Sequence, residues 1–391
     1  MIERLKITNF KAFAKADIPL GSYTLLSGLN SSGKSTVLQS LALIRQAGDY
    51  LQTYDDSGGF PLSGDLVQLG TGRDALHEFY DAEPGTEPEI GFQLTAAGQV
   101  AGEWRAHYGR EDDFLRLSYC FPDDPFTAEE LPPLSVFGPG FQYLRADRLN
   151  PANTYPRSRE MSTRRGFLGT RGEYAADYLH QHQDEPVNPT VWHDPDGLPK
   201  LLDQVCAWLG EICPGVRLQA TSIELTDLVR IGFQFTQAGQ LNSGFRRPTN
   251  VGFGLSYVLP IILACLTAKP GSLLLLENPE AHIHPQGQSA MARLTCAAAA
   301  TGAQVMVETH SDHILNGVRL AVKRQLLQAE DVVLLYFERE DDGIRIVSPA
   351  IGPDGMISQW PQGFFDEWDR SLDQLLDLPP VLQTKGVPEC P

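Results

Sequence analysis

An α/β fold organised around a phosphate-binding loop is predicted by three features of the 391-residue sequence. The first is "GLNSSGKST", which fits G-x-x-x-x-G-K-[ST] with Gly28, Gly33, Lys34 and Ser35. It lies where its mechanism requires, after the apolar strand "SYTLLSG" and at the start of an apolar-periodic helix. The second is "GSLLLLENPE", a strand of the fully buried kind that ends in Glu277. The third is "AQVMVETH", another apolar strand, ending in Glu308, Thr309 and His310. Parallel strands bring their C-terminal ends to one crevice. Three strand ends that are far apart in the chain are therefore expected to build one site.

The elements follow in order. "IERLKITNF" and "ADIPLG" alternate like strands, and "SYTLLSG" is a third. The helix "KSTVLQSLALIRQAG" is expected to stop at Gly48. Residues 49–85 read as loop, with a compact "DLVQLGTGRDALHEF". Residues 88–121 alternate like an antiparallel meander, and a Pro-rich break, "DDPFTAEELPPLSVFGPG", follows. "FQYLRADR" reads as a strand, residues 150–213 as polar and helical, and "TSIELTDLVRIGFQFT" as strands again. A Gly-rich turn then opens the apolar helix "SYVLPIILACL". Near the C-terminus, "DVVLLYFEREDDGIRIVSP" predicts a hairpin turning at Asp342-Gly343. Five regions are expected: 1–85, the first part of a nucleotide-binding domain; 86–150, a β-rich lobe; 151–215, an Arg-containing helical insertion; 216–325, the rest of the nucleotide-binding domain; and 326–391, a small C-terminal domain.

Composition narrows the function classes. Net charge is −18 and pI about 4.9, so the overall field opposes unspecific nucleic-acid binding. A local basic patch would be needed for DNA, and residues 157–171 offer Arg157, Arg159, Arg164, Arg165 and Arg171. The competing reading of that stretch is a solvated, mobile loop. No apolar run reaches the length of a membrane span, so no membrane contact is expected. The N-terminus lacks a signal peptide's apolar core. Cys120, Cys206, Cys213, Cys265, Cys296 and Cys390 show no CxxC pairing and read as reduced packing residues of a cytoplasmic protein.

By type and spacing, the chemistry-bearing residues are expected to be nucleotide-phosphate and Mg²⁺ ligands. Gly28 and Gly33 let the backbone bend around oxygens. The amides of Asn30, Ser31, Ser32, Gly33 and the helix start through Thr36 then face the phosphates. Lys34 is expected on the β and γ phosphates, and the Ser35 hydroxyl and Glu277 on Mg²⁺. More than half the chain separates Lys34 from Glu277, so a large insertion divides the site. "NVGFGLS" places Gly252, Gly254 and Ser256 at a helix N-terminus, a second anion cradle. His282, His284, Glu280, His310 and His313 could instead ligate a transition metal, but no closed-site spacing supports that.

In this order the motifs resemble an ABC-type ATPase. "ENPEAHIHP" and "VETHSDHILN" are similar to bacterial ATPases grouped with RecF, SMC and the overcoming-lysogenisation-defect (OLD) proteins. The stretch from "NVGFGLSYVLP" to "GQSAM", with the tail "WPQGFFDEWDRSLDQLL", resembles a subgroup carrying a short C-terminal domain of unknown function. The resemblance implies a P-loop NTPase fold of ABC-ATPase type with an antiparallel β lobe and an inserted helical region. It further implies that Gly252, Gly254 and Ser256 contact the γ-phosphate held by a partner subunit. His310 would be the histidine sensing that phosphate, and Gln68 would link Mg²⁺ to the inserted lobe. In the usual arrangement the residue after the metal-side acid orients or deprotonates water. Asn278 stands there, and an amide cannot take the proton. Glu308 is the preferred base, with Glu280 as the rival.

These features lead to an expected Mg²⁺-dependent ATPase that forms a dimer or higher oligomer with itself on ATP. It would gate a separately encoded effector, a nuclease in anti-phage defence. Residues 324–391 are few for a nuclease domain, and no coiled-coil arm is expected. Two alternatives stand: a RecF-like DNA-repair ATPase, and a scaffold that holds ATP without turnover, which Asn278 favours.

Overall fold

The structure is a computed structural model that describes residues 1–53, 58–80, 87–122, 134–236, 244–340, 343–361 and 363–376. The N-terminal third holds β1 (Arg4–Phe10), β2 (Phe13–Pro19), β3 (Tyr23–Gly28), α1 (Lys34–Thr53), β4 (Gly59–Pro61) and α2 (Gly72–Ala75). The meander follows as β5 (Glu89–Ala96), β6 (Gln99–His107) and β7 (Phe114–Phe121). Next come β8 (Phe141–Leu144), β9 (Tyr155–Pro156), α3 (Ala175–His182), α4 (Leu201–Gly210), β10 (Val216–Ser222) and β11 (Leu228–Phe235). The last part holds α5 (Phe253–Leu266), β12 (Leu273–Glu277), α6 (Pro285–Ala300), β13 (Gln304–Glu308), α7 (Asp312–Lys323), β14 (Val332–Glu340), β15 (Gly343–Val347) and α8 (Glu367–Leu376).

Three sheets organise these strands. The central sheet runs β15-β14-β3-β13-β12-β8 and is parallel except at β15. The second sheet, β2-β1-β5-β6-β7-β4, is antiparallel, and a small one runs β10-β11-β9. The alternation of a strand explains how the central sheet is covered on both faces. Leu273, Leu275, Met306 and Leu335 feed a core shared with α1 and the second sheet. Their neighbours Leu274, Leu276, Val305 and Leu334 feed the other core, made with the helices of the insertion and the C-terminal half. The four leucines of β12 are at most 1% exposed. Truncating any of them to Ala is expected to cost about 2–5 kcal/mol.

The sheets cut across the expected regional boundaries. β1 and β2, from region 1–85, extend the meander of region 86–150 through the β1–β5 pairing. β8, from that same β-rich region, sits in the central sheet. β14 pairs with β3, so the C-terminal segment forms part of the central sheet. Strand neighbours are fixed by long-range pairing, which no local pattern records.

A second correction concerns α1. It does not stop at Gly48 but runs to Thr53. A Gly inside a helix costs about 1 kcal/mol relative to Ala. Buried residues around it and the Arg45–Asp49 ion pair at 3.1 Å outweigh that cost. Asp341, Asp342 and Cys390 lie outside the described residues. No disulfide forms among the five described cysteines, and burial pushes the thiols of Cys265 and Cys296 far up.

Candidate nucleotide site

The loop between β3 and α1 carries the backbone shape its glycines suggested. Gly28, Ser31 and Gly33 have φ of 139°, 62° and 93°. A Cβ at Gly28 would stand 2.4 Å from the Phe337 carbonyl oxygen of β14, and one at Gly33 would stand 2.8 Å from the Phe13 ring. Gly28→Ala is therefore expected to cost about 1–3 kcal/mol through strain and displacement of β14. A urea midpoint equal to the wild type's would show that loop and strand are not held this tightly.

Lys34 folds over the loop, donating to the Gly28 and Leu29 carbonyls at 3.0 and 2.7 Å. Burial lowers its pKa, and the nearby Glu308 charge works against that. The Ser32 hydroxyl is buried without a partner. A cavity of ≈ 470 Å³ opens beside the loop, lined in part by Gly28, Leu29, His310, Tyr336 and Phe365. His310 is exposed there, and partial burial and the Lys34 charge lower its pKa.

The parallel pairing puts Glu277 opposite Glu308, as two adjacent strand ends should. The carboxylate that bonds to the loop is Glu308. Ser35 Oγ donates to both oxygens of Glu308, at 3.0 and 2.8 Å. Glu277 is turned toward β8: its Oε1 accepts from the Tyr143 hydroxyl at 2.6 Å and its Oε2 from the Ala146 amide at 2.9 Å. Ser35 and Glu277 were each expected on Mg²⁺; here Ser35 bonds to Glu308, while donors on and just after β8 hold Glu277. Gln68, expected on the metal, is exposed on a small loop that Gln46 ties to α1.

Glu308 is 6% exposed. Burial first, then the Glu277 charge, raises its pKa from 4.5 to about 7. The folded protein then keeps a proton that the unfolded chain releases between those values. This group's stabilisation is complete below pH 4.5 and is lost as pH rises through about 7. The difference is at most about 3 kcal/mol. Urea midpoints without Mg²⁺ or nucleotide should fall between pH 5 and 8, and Glu308→Gln should shrink that fall. An undiminished fall in the variant would place the titration elsewhere.

The loop after β12 is held from several sides. Asn278 has φ of 43°, and its amide donates to the Glu308 carbonyl at 2.8 Å. Its side-chain Oδ1 is buried without a partner. Glu280 accepts from the Thr309 hydroxyl at 2.6 Å and the His310 amide at 3.1 Å, and burial raises its pKa. His282 is packed by Tyr257 and Phe253, and His284 caps α6, where Pro285 suits the first helical position. These contacts are structural, and no group of three metal-type side chains forms among the described residues.

The second cradle opens α5. Gly252 is its N-cap, is exposed, and a Cβ added there would have nothing within 4 Å. Gly254 must be small, because a Cβ there would stand 2.8 Å from the His282 carbonyl. The Ser256 hydroxyl is buried and makes no well-formed hydrogen bond. Arg148 was missed in the sequence, although an Arg and a Tyr ending a buried strand, "YLRADR", were a signal. It is 2% exposed and grips the end of β12.

The Arg-rich stretch is ordered and largely paired. Arg157 meets the buried Asp177 at 3.4 Å, Arg164 and Arg165 both meet Glu160 at 3.2 Å, and Arg171 meets Asp147 at 3.7 Å. Residues 160–164 form a π-helical turn rather than a loose loop.

Comparisons with known proteins agree with this architecture. The family described as "AAA ATPase domain" matches residues 1–81. That described as "AAA domain, putative AbiEii toxin, Type IV TA system" matches 183–316. "Protein of unknown function (DUF3696)" matches 327–375. An OLD nuclease of Thermus scotoductus is 24% identical over 380 residues, covering 88% of this chain and 65% of the relative. The chain thus spans 65% of that relative's length. An SMC head solved bound to the C-winged helix domain of ScpA shares the fold, with a TM-score of 0.50 and 13% identity over 89% of this chain and 97% of that one. No described helix is long and apolar enough to cross a membrane. Two segments of the chain thus match AAA-type ATPase domain models, most of the chain is similar to an OLD nuclease, and its fold is that of an SMC head.

Proposed function

We propose that the chain is a Mg²⁺-dependent ATPase that assembles with a second copy on ATP and gates a separately encoded effector, a nuclease in anti-phage defence. The observation that carries the ATPase reading is the Ser35–Glu308 pair at the mouth of the phosphate loop, beside Glu277. The loop amides and Lys34 would hold the phosphates, and Ser35 with Glu308 would hold the metal, with Glu277 on the adjacent strand end. Bound Mg²⁺ supplies neutralisation of phosphate charge. Glu308 is assigned to the metal side, and away from the base role, on the strength of its two bonds from Ser35. Phosphoryl transfer passes through a loose transition state in which positioning matters more than proton removal. Asn278, with an unpartnered buried acceptor, suits the orienting of water.

Support for the defence role comes from two names, the OLD nuclease and the toxin–antitoxin family description. The local pairing of the arginines weighs against direct action on DNA. A native pull-down of the tagged chain, with and without phage infection, tests the effector. A co-purifying nuclease is expected. Recovery of the chain alone under both conditions would remove the gating role.

A further inference from the structure

We propose that Arg148 is a positioning residue that couples α5 to the strand end bearing Glu277 and Asn278. A contact made by α5 with the partner's nucleotide would thereby reach its own subunit's site. The inference rests on the shared-site reading above.

The contacts form a short closed path. Arg148 Nη1 donates to the Glu277 carbonyl at 2.7 Å and the Arg145 carbonyl at 2.9 Å. Its Nη2 donates to the Asn278 carbonyl at 2.7 Å. The guanidinium lies 4.4 Å from the centre of the Tyr257 ring. Tyr257 follows Ser256 directly on α5, and its hydroxyl donates to the Ala146 carbonyl. The Ala146 amide in turn donates to Glu277 Oε2. The same tyrosine ring meets His282 edge-on at 4.7 Å, on the loop that leaves β12. Tyr257 of α5, residues 145–148 and residues 277–282 are thus joined by direct contacts. A shift of α5 toward a partner's phosphate must displace the Glu277 carboxylate and the Asn278 backbone together.

The residue type supports coupling over plain packing. A planar fork that bonds two successive carbonyls while stacking on a ring is a task for Arg and not for Lys. Arg148 Nε is buried without a partner. An unsatisfied buried donor costs about 1–3 kcal/mol, and apolar residues commonly replace buried charges without loss of stability.

The test uses the full chain with Arg148→Lys and Tyr257→Phe. Tyr257→Phe keeps the ring and removes only the bond to Ala146, which guards against loss of folding. ATP affinity, ATP-dependent association and steady-state hydrolysis against ATP concentration are measured for each. The wild type is expected to hydrolyse ATP cooperatively. Both variants should bind ATP within about twofold of wild type and still associate. Their turnover should fall by about tenfold or more, with cooperativity lost, because coupling between sites is a separate free energy from binding. Variants that keep cooperativity and rate would overturn the proposal, as would loss of ATP binding in both. A wild type that associates and hydrolyses without cooperativity would overturn the coupling alone. A wild type that neither associates nor hydrolyses would remove the shared-site reading, and the coupling with it.

Discussion

Glu308→Gln should lower ATP turnover by about 10²–10³-fold, the range seen when a preorganised electrostatic group is removed. Gln keeps the size and can still accept from Ser35, whose hydroxyl now touches both carboxylate oxygens. It removes the negative charge that faces the metal side. The Mg²⁺ concentration for half-maximal rate should therefore rise by about tenfold or more, since hard cations need charged oxygen ligands. Asn278→Ala should also slow turnover, without changing the Mg²⁺ requirement. Steady-state hydrolysis across a Mg²⁺ titration separates the two. If Glu308→Gln slows the rate at an unchanged Mg²⁺ requirement, the carboxylate acts as the base and its metal-side assignment is wrong.

Gly252→Glu should abolish ATP-dependent association and turnover while leaving nucleotide binding intact. Gly252 caps α5, and a side chain there meets open space, so folding is spared. A carboxylate at a helix N-terminus occupies the place offered to an anion and repels an incoming phosphate. Ser256 would be a poorer choice, because its hydroxyl is buried. Lys34→Ala is expected to act differently, weakening ATP binding itself. Equilibrium binding of ATP and sedimentation with and without ATP distinguish the two variants. ATP-dependent association of Gly252→Glu at wild-type strength would reduce this turn to the start of an ordinary core helix.

Local chemistry made the shape of the phosphate loop legible, since the positive φ of Gly28 and Gly33 and the bonds from Lys34 to the Gly28 and Leu29 carbonyls are all local. The ends of β12 and β13 were legible too, because apolar runs that stop at an acid mark buried strands whose last residue turns to chemistry. Which carboxylate faces Ser35 was not legible. It depends on Tyr143 and Ala146, which draw Glu277 away through contacts more than a hundred residues apart in sequence. The same holds for β14, whose place beside β3 sets Phe337 against Gly28. Arg148 escaped because an isolated Arg after a strand has no pattern until its carbonyl partners are in place. The five arginines looked like a patch in one dimension, but four of them lie beside three carboxylates, Asp147, Glu160 and Asp177, with Arg164 and Arg165 sharing Glu160.

The most direct measurement is ATP-dependent association in a mixture of Lys34→Ala and Gly252→Glu, each carrying a different fluorophore. Neither variant should associate alone. One has no bound nucleotide to offer, and the other has no cradle for its partner's phosphate. Together they can build one intact site, from the loop of the Gly252→Glu subunit and the α5 turn of the Lys34→Ala subunit. Energy transfer on adding Mg²⁺ and ATP is the expected result. No transfer in the mixture, under conditions where wild-type chains associate, would contradict a nucleotide site shared between two copies.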